Sequence, residues 1–253
     1  MRAVTIRLKV GAQAPGHNDA GTGKAMQFSL VLIGAHNGSK LAEMIAGARG
    51  AGNVLLVEPV PFLFRQLEQQ FAGQPGVHLR NVCISTSDGK ARFTAPLPSA
   101  TSVAAYGDQL GSLLPDHAVN HLGEMAGHLE TIEVESRTFE TLIAEVGITA
   151  IDMLYCDTEG MDVPLLELYP FEKVPPAALI FEFKHADGTF RVGRKLGHFL
   201  IRLDDMGYRA KVLDIENILA ERIAEAQAGQ PLKNASRPGA GKLARMLQIL
   251  FEK

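Results

Sequence analysis

The chain has 253 residues, of which 46% are hydrophobic and 21% are charged, which is typical of an ordinary globular protein. This length allows one large α/β domain or two small ones. The formal net charge of −3 argues against a general affinity for nucleic acid or for acidic lipid. No apolar run approaches membrane-spanning length. We therefore expect neither nucleic-acid binding nor stable insertion into a membrane.

The cysteines and the first residues bear on the compartment. Cys83 and Cys156 lie in apolar runs and lack metal-ligand spacing, so we interpret both as buried thiols in a reducing compartment. Residues 1–10 carry charges among their apolar residues and lack the long apolar core of a signal peptide. The protein is therefore expected to be cytoplasmic.

Residues 1–27 are predicted to be an N-terminal arm and loop. Residues 4–10 alternate apolar and basic side chains, which fits an edge strand or a loosely attached arm. The Gly/Ala/Asn/Asp-rich run at 11–25 predicts a flexible loop. Within it, Gly21-Thr-Gly-Lys24 lacks the first glycine of a phosphate-binding loop, because Asn18 stands at that position.

Strands and helices alternate through residues 28–225, which we predict to form the main domain. Apolar runs predict strands at 28–33, 54–58, 77–84, 131–137, 150–156, 177–183 and 208–213, with a short extra strand at 90–94. Helices are predicted at 38–48, 60–72, 138–146, 162–168 and 190–206, while 217–223 fits a strand or a helix. Because helices separate the strands, we predict an α/β fold whose mostly parallel sheet is covered on both faces.

Two segments depart from this alternation. Residues 95–130 contain three prolines, four glycines and three histidines without a strong period, and we predict that they form a cap at the substrate site. Residues 226–253 are predicted to be a linker followed by an amphipathic helix, with Leu243, Met246, Leu247 and Leu250 at helical spacing. This helix could dock on its own domain, form a homodimer or touch a membrane surface.

The ligand site is expected at the carboxyl ends of the parallel strands. Gly34 and Gly38 let the backbone approach a ligand, and the start of the next helix offers unpaired N–H groups. Glu58 ends its strand with an acceptor-only side chain suited to both hydroxyls of a ribose. The predicted binding residues are Gly34, Ala35, His36, Asn37, Gly38, Glu58, Pro59, Asn81, Val82, Cys83 and Asp157.

The glycine spacing discriminates between nucleoside cofactors. A dinucleotide site requires G-x-G-x-x-G, but His36 stands at the second glycine position, where its side chain would fill the space of the pyrophosphate. The G-x-x-x-G spacing is the looser form found in S-adenosylmethionine (AdoMet) enzymes. Together with Glu58 and the acids Asp157 and Glu159, this spacing favours AdoMet.

On these residues the chain resembles the FkbM-type AdoMet-dependent methyltransferases, over roughly residues 28–223. The resemblance rests on Leu-Ile-Gly-Ala-His-Asn-Gly at 32–38, Val-Glu-Pro at 57–59, Asn-Val-Cys-Ile-Ser at 81–85, Val-Glu-Ser-Arg-Thr-Phe-Glu-Thr-Leu at 134–142, Ile-Asp-Met-Leu-Tyr-Cys-Asp-Thr-Glu-Gly at 151–160 and Leu-Ile-Phe-Glu at 179–182. It implies a Rossmann-like class I methyltransferase sheet of seven strands, the last antiparallel, which favours a strand at 217–223.

The resemblance also implies the activity, which is methyl transfer from AdoMet, usually to a hydroxyl of a sugar, polyketide or similar small metabolite. The family usually carries an Asp two residues before the first glycine, where it helps to orient the methionine end of the cofactor. This chain has Leu32 at that position.

Methyl transfer requires alignment of the acceptor with the sulfonium and removal of the acceptor proton. Asp157 is predicted to orient the cofactor or the acceptor. The predicted acid/base groups are Glu159, Lys184 and His185, and a plain polar loop is the alternative interpretation of the last two. Thr101 and Ser102 could line the acceptor pocket.

Three histidines in the predicted cap raise the question of a metal. His117 and His121 share a helical face, but neither they nor His128 have an acid at signature spacing, so we expect no metal. Two other functions stay open. A binding module that has lost turnover is supported by Leu32, and a NAD-dependent oxidoreductase is disfavoured by His36.

Overall fold

The computed structural model describes residues 25–71 and 73–223. The strands are β1 (Met26–Ile33), β2 (Asn53–Val57), β3 (Val77–Arg80), β4 (Cys83–Ile84), β5 (Gly89–Pro96), β6 (Leu129–Arg137), β7 (Ile148–Cys156), β8 (Ala178–Glu182), β9 (Tyr208–Val212) and β10 (Asn217–Arg222). The α-helices are α1 (Ala42–Ala51), α2 (Pro61–Phe71), α3 (His117–His121), α4 (Phe139–Val146), α5 (Asp162–Leu166) and α6 (Gly193–Asp205). Among these helices, none has the length and apolarity needed to cross a bilayer.

Several predictions concern segments beyond the described residues. They are the strand or arm at 4–10, the loop containing Gly21–Lys24, and the linker and amphipathic helix that follow residue 225. The homodimer and the membrane contact considered for that helix involve the same residues, so they also lie outside the described part of the chain.

The main sheet has seven strands in the order β3-β2-β1-β7-β8-β10-β9. β10 runs antiparallel to both of its neighbours, whereas the pairs formed by β1, β2, β3, β7 and β8 are parallel. This arrangement confirms the predicted class I methyltransferase sheet and shows that 217–223 forms a strand. The strand order reverses between β1 and β7, which is where a ligand crevice opens in such sheets.

Apolar side chains cover both faces of the main sheet. On one face the strands pack against α4, α5 and α6, and on the other they pack against α1 and α2. The helix residues that make these contacts include Phe139, Leu142, Phe199 and Leu203 on the first face and Ile45, Ala48, Leu67 and Phe71 on the second. Burying one such Leu or Phe side chain contributes about 1.5–3 kcal/mol.

The start of α1 differs from its prediction. The helix was predicted from residue 38, but it begins at Ala42 because Gly38 has a φ of +81°. The Asn37 side chain accepts hydrogen bonds from the N–H (3.1 Å) and the hydroxyl (2.6 Å) of Ser39. This turn competes with the helix for residues 38–41.

A second sheet, not predicted from the sequence, has the order β4-β6-β5. The strand predicted at 77–84 is in fact two strands, since β3 pairs with β2 while β4 pairs with β6. The strand predicted at 131–137 belongs to this second sheet, where β6 pairs antiparallel with all of β5. Phe93 and Val134 of this sheet pack with Val60 and Leu63 at the start of α2. The second sheet thereby covers the carboxyl end of β2.

The segment predicted as a cap connects β5 to β6. It consists of α3 and three short 3-10 helices at Pro98–Ser102, Gly107–Gln109 and Gly123–His128. Its own small apolar cluster contains Ala100, Leu110, Ala118 and Met125. The hydroxyls of Thr101 and Ser102 donate to the carbonyls of Pro98 and Ser99 within the cap.

We predict that Gly34→Ala destabilises the fold by at least ~2 kcal/mol. Gly34 has a φ of +80°, and a Cβ there would lie 1.8 Å from the carbonyl oxygen of Asp157. Gly47→Ala is the matched control, because a Cβ at Gly47 in α1 meets no atom within 4 Å. The control should gain roughly 0.5–1 kcal/mol. Urea unfolding measures both, and equal stability of Gly34→Ala and wild type would contradict the prediction.

Candidate functional site

Two adjoining clefts open at the carboxyl ends of β1, β2, β7 and β8. The inner cleft is bounded by the loops after β1, β2 and β7, by the second sheet and by residues 108–113 of the cap. The outer cleft lies between the cap, the loop after β8 and residues 215–217. Both clefts are lined by the same four residues, Lys40, Gln109, Asp157 and Glu159. These four residues, called here the shared wall, form the junction through which a group could pass from one cleft to the other.

The turn at Gly34–Gly38 is fixed by contacts with the ends of β2 and β7 and with α2. The N–H groups of Gly34 and Ala35 both donate to the carbonyl of Val57 at 3.0 and 2.9 Å. A Cβ at Gly38 would lie 2.7 Å from the ring of Phe71. Glycine is therefore required at position 34 by the backbone that follows β7, and at position 38 by α2. The turn holds His36 at a φ of +53°, with its N–H directed at Glu58 after β2.

Glu58, at the end of β2, is buried in the floor of the inner cleft. Its Oε2 accepts the N–H of His36 and its Oε1 accepts the N–H of Val60, both at 2.8 Å. Burial raises the pKa of Glu58 to about 7, although the two backbone hydrogen bonds oppose that shift. Each carboxylate oxygen has a second lone pair left for a ligand donor.

The other predicted binding residues surround Glu58. Asn81 donates through its amide to the carbonyls of Glu58 (2.8 Å) and Pro59 (3.1 Å), so it fixes the loop after β2. Val82 and Cys83 line the apolar part of the inner cleft opposite. The Asn37 amide donates to Gln66 of α2 at 3.2 Å, and Asn37 is not one of the described residues that line the inner cleft.

Asp157 follows β7 and lies on the shared wall. Its N–H donates to the carbonyl of Ile33 at 3.0 Å, and its Oδ2 lies 3.5 Å from Nζ of Lys40. The next residue, Thr158, donates through both its N–H and its hydroxyl to Asp162, at 3.2 and 3.0 Å. Burial raises the pKa of Asp162 to about 8. Asp162 thus holds the loop that presents Asp157.

Glu159 occupies the shared wall with a left-handed backbone, at a φ of +51°. Its Oε2 lies 2.9 Å from Nε2 of His117, whose Nδ1 lies 3.1 Å from the hydroxyl of Thr189. Burial, and then the charge of Asp157, raise the pKa of Glu159 to about 8. Burial lowers the pKa of His117 to about 4. A neutral imidazole therefore supports a carboxyl group whose proton is exchangeable near neutral pH.

Lys184 lies in the outer cleft between two carboxylates. Its Nζ is 2.5 Å from Oε1 of Glu216 and 3.1 Å from Oε1 of Glu182. Burial, and then the charge of Glu159, raise the pKa of Glu182 to about 10, although the Lys184 ammonium opposes this shift. Both carboxylates also line the outer cleft. The ammonium of Lys184 is thus occupied by protein carboxylates.

His185 is buried beneath the outer cleft, with 1% of its surface exposed. Its Nδ1 accepts the N–H of Phe190 at 2.7 Å, so Nε2 carries the proton. Burial lowers the pKa of His185 to about 3. The rings of His121 and Phe190 pack against it at centroid distances of 5.6 and 4.9 Å. These contacts separate His185 from the cleft surface.

Three of these side chains have the composition of a metal site. Ligand-type atoms of His117, Glu159 and His185 lie within 4.8 Å of one another. His185 nevertheless offers no free lone pair, because Nδ1 accepts a backbone N–H and Nε2 is protonated. The third cap histidine considered from the sequence, His128, lies elsewhere and contacts Ser99 at 3.0 Å. The absence of a bound metal remains a prediction.

The structure adds site residues that were not selected from the sequence. Lys40, Asp108, Gln109, His117, Asp162 and Glu182 all line the clefts or support residues that do. Glu182 ends β8, so its position at the carboxyl end of a strand was a usable signal. Asp162 acts locally, on Thr158 four residues before it. The remaining four residues lie in the cap or depend on contacts across more than forty residues of sequence.

The family model described as "Methyltransferase FkbM domain" matches residues 33–210. The chain belongs to the FkbM methyltransferase family. AdoMet is the cofactor of this family, as the glycine spacing and Glu58 predicted. No curated protein sequence matches the chain significantly.

Solved structures with low sequence identity are also similar to this FkbM-family chain. Fibrillarin of Methanococcus jannaschii, a pre-rRNA processing protein, is 11% identical, with a TM-score of 0.39 over 78% of this chain and 67% of that one. Aeropyrum pernix fibrillarin with bound S-adenosyl-L-methionine is 15% identical, with a TM-score of 0.35 over 76% and 66%. Human methyltransferase-like protein 13 with SAH is 14% identical, with a TM-score of 0.37 over 90% and 83%.

The raised carboxyl pKa values predict that stability falls as the pH rises from 6.5 to 8. In this window folded Glu58, Glu159, Asp162 and Glu182 hold protons that the same groups lose in the unfolded chain. His117 and His185 oppose this trend most strongly below their ordinary pKa of 6.5 and progressively less above it, because the unfolded imidazoles lose their protons as the pH rises. We expect a slope of about 1 kcal/mol or more per pH unit, or a Tm lower by roughly 2–4 °C per unit.

Thermal melts of the ligand-free protein at pH 6.5, 7.25 and 8 measure this slope. Glu182→Gln removes one of the four groups and should flatten the slope. Glu133→Gln, on the exposed surface of β6, should leave it unchanged. A Tm that stays constant or rises across this window would show that the four carboxyl groups titrate normally.

Proposed function

We propose that this FkbM-family protein transfers a methyl group from AdoMet to a hydroxyl group of a sugar or of another small metabolite. The observation that carries the proposal is the shared wall, which brings Asp157 and Glu159 to the junction of two clefts. One cleft then holds the methyl donor and the other holds the acceptor. This arrangement suits direct transfer, because the two reacting groups meet in one orientation.

The chemistry of the inner cleft fits AdoMet. Glu58 offers carboxylate oxygens to the ribose hydroxyls, and the apolar side chains of Val60, Val82 and Phe93 suit an adenine ring. Asp157 and Glu159 suit a cationic ligand. When bound, AdoMet supplies a methyl group that is already strongly electrophilic.

The outer cleft has the chemistry of an acceptor site. Tyr106 and Phe190 are 43% and 57% exposed at its edge, and Glu216 and Asn217 supply hydrogen-bonding groups inside it. An apolar edge combined with polar groups suits a small molecule that carries hydroxyls on a carbon skeleton. A neutral acceptor of this kind needs a proton acceptor close to the reacting oxygen.

We assign that task to Glu159. Glu159 must be ionised for this step, and the positive charge of the bound cofactor favours loss of the proton that Glu159 holds in the free protein. As the oxygen–methyl bond forms and the sulfur–methyl bond breaks, the hydroxyl proton passes to the Glu159 carboxylate, which His117 holds in place at 2.9 Å. Asp157 orients the cofactor from the other side of the shared wall. Lys184 and His185, also predicted from the sequence, are proposed to shape the outer cleft, since both are engaged by Glu182, Glu216 and Phe190.

Methyl transfer is tested by incubating the protein with AdoMet and a panel of sugars and small alcohols. Formation of S-adenosylhomocysteine (SAH) together with a methylated product, detected by mass spectrometry, supports the proposal. If neither AdoMet nor SAH binds at millimolar concentration in calorimetry, the enzyme function is wrong. A thermal shift with NAD(H) but not with AdoMet would instead favour the oxidoreductase. Binding of AdoMet without turnover of any acceptor would favour the binding module.

Glu58→Gln is predicted to weaken SAH binding about tenfold or more, because it removes a charged acceptor from the ribose site. For the wild type, the Kd of SAH should rise as the pH falls from 8 to 6, since Glu58 gains a proton near pH 7. Calorimetry measures both effects. Glu133→Gln, on the exposed face of β6, is the control. A Kd that depends neither on this substitution nor on pH would place the ribose elsewhere.

Glu159→Gln is predicted to lower kcat by roughly 10²-fold or more while the Kd of SAH stays within about threefold. The control is Glu221→Gln, which breaks only an exposed contact with Lys211. The measurements are initial rates on an acceptor identified from the panel, and calorimetry with SAH. A full rate in Glu159→Gln would exclude Glu159 as the proton acceptor.

A further inference from the structure

Leu32 leaves the methionine end of the cofactor without the acid that the family usually provides. The Leu32 side chain is wholly buried in β1 and packs in the same apolar cluster as Ile45, Leu56 and Tyr155. It contributes no charge to either cleft. The ammonium and the carboxylate of the cofactor's amino-acid end must therefore be bound by other groups.

An ion pair on the shared wall has the matching charges. Nζ of Lys40 lies 3.5 Å from Oδ2 of Asp157, where the residues before α1 face the end of β7. The Lys40 side chain is 48% exposed and that of Asp157 is 18% exposed, so a ligand can reach both. The pair is therefore accessible, unlike Glu58 and Glu182, which are 4% and 6% exposed.

The surrounding charges make Lys40 especially important for a ligand that carries a carboxylate. The inner-cleft lining, all of it within the described chain, contains four carboxyl groups, those of Glu58, Asp108, Asp157 and Glu159. Among the same lining residues, Lys40 is the single lysine or arginine. A ligand carboxylate placed among four acids without a cation would be repelled.

We propose that Lys40 and Asp157 form the binding site for a zwitterionic amino acid, the methionine end of the cofactor. Lys40 pairs with the α-carboxylate and Asp157 pairs with the α-ammonium. The protein ion pair is exchanged for two protein–ligand pairs, so the total charge of the site is conserved. This assignment rests on AdoMet as the cofactor in the proposed function, and it makes the Lys40–Asp157 pair the replacement for the acid that is absent at position 32.

Three adenosine ligands separate the two charges in calorimetric titrations. SAH carries both the carboxylate and the ammonium. Its decarboxylated analogue, 5′-(3-aminopropylthio)-5′-deoxyadenosine, carries only the ammonium. 5′-Methylthioadenosine carries neither. All three keep the adenine and the ribose, so differences among them report on the amino-acid end alone.

Lys40→Met should weaken SAH about tenfold or more, and should leave both the decarboxylated analogue and methylthioadenosine within about threefold of wild type. Asp157→Asn should weaken SAH and the decarboxylated analogue but not methylthioadenosine. Lys40→Arg should retain SAH binding. The matched control is Lys90→Met, which removes a lysine paired with Glu133 on the exposed second sheet.

Each contrary result has a distinct meaning. Unchanged SAH affinity in Lys40→Met, or an equal loss for all three ligands, overturns the role of Lys40. Wild-type protein that binds methylthioadenosine and SAH equally well shows that no amino-acid subsite exists. Wild-type protein that binds none of the three ligands overturns the proposed function and this assignment with it.

Discussion

The site depends on one close approach, between the backbone at the end of β1 and the backbone at the end of β7. A Cβ at Gly34 would lie 1.8 Å from the carbonyl oxygen of Asp157, so the two chains touch without an intervening side chain. This contact forces the turn at Gly34–Gly38, which directs the N–H of His36 onto Glu58. It also brings Asp157 to the junction of the two clefts. One steric constraint thus places both acids on which the proposed chemistry relies.

The convergence of acids at this edge of the sheet has an electrostatic consequence. Glu58 follows β2, Asp157 and Glu159 follow β7, and Glu182 ends β8. Three of these four acids are buried enough for their pKa values to rise to about 7, 8 and 10. Burying a carboxylate is costly even beside a hydrogen-bond partner, so the free protein favours the protonated form of these groups. A cationic ligand can replace such a proton. The same arrangement that destabilises the empty clefts therefore favours a sulfonium-bearing cofactor.

The main sheet could be predicted because its strands are apolar runs separated by helices long enough to impose parallel pairing. The second sheet could not, because β4 has only two residues and continues the apolar pattern of β3 across Asn81 and Val82. The chain pairs first with β2 and then with β6, and the point of this change is set by contacts between residues far apart in the sequence. The start of α1 was missed for a local reason, since the hydrogen bonds between Asn37 and Ser39 compete with the helix.

The site residues also differ in whether local sequence or long-range contacts determine their positions. Glu58 and Asp157 could be identified because they directly follow buried strands of a sheet whose carboxyl ends bind ligands. His117 could not be assigned to Glu159, because the cap that carries it has no period and its contact spans 42 residues of sequence. Lys40 falls within a stretch predicted as helix, where a lysine is ordinarily a solvated side chain. Its pairing with Asp157 depends on how β1 and β7 meet.

Charge balance links the ion pair, the buried acids and the proposed reaction. In the proposed transfer, Glu159 gains the acceptor proton at the step that removes the positive charge from the sulfur. The sulfonium loses its positive charge as the Glu159 carboxylate loses its negative charge. The net charge at the shared wall therefore does not change during the transfer. Lys40 and Asp157 keep their ligand partners until the product leaves, when their own ion pair can form again. A site this acidic can therefore complete a turnover without an unpaired charge on either side of the wall.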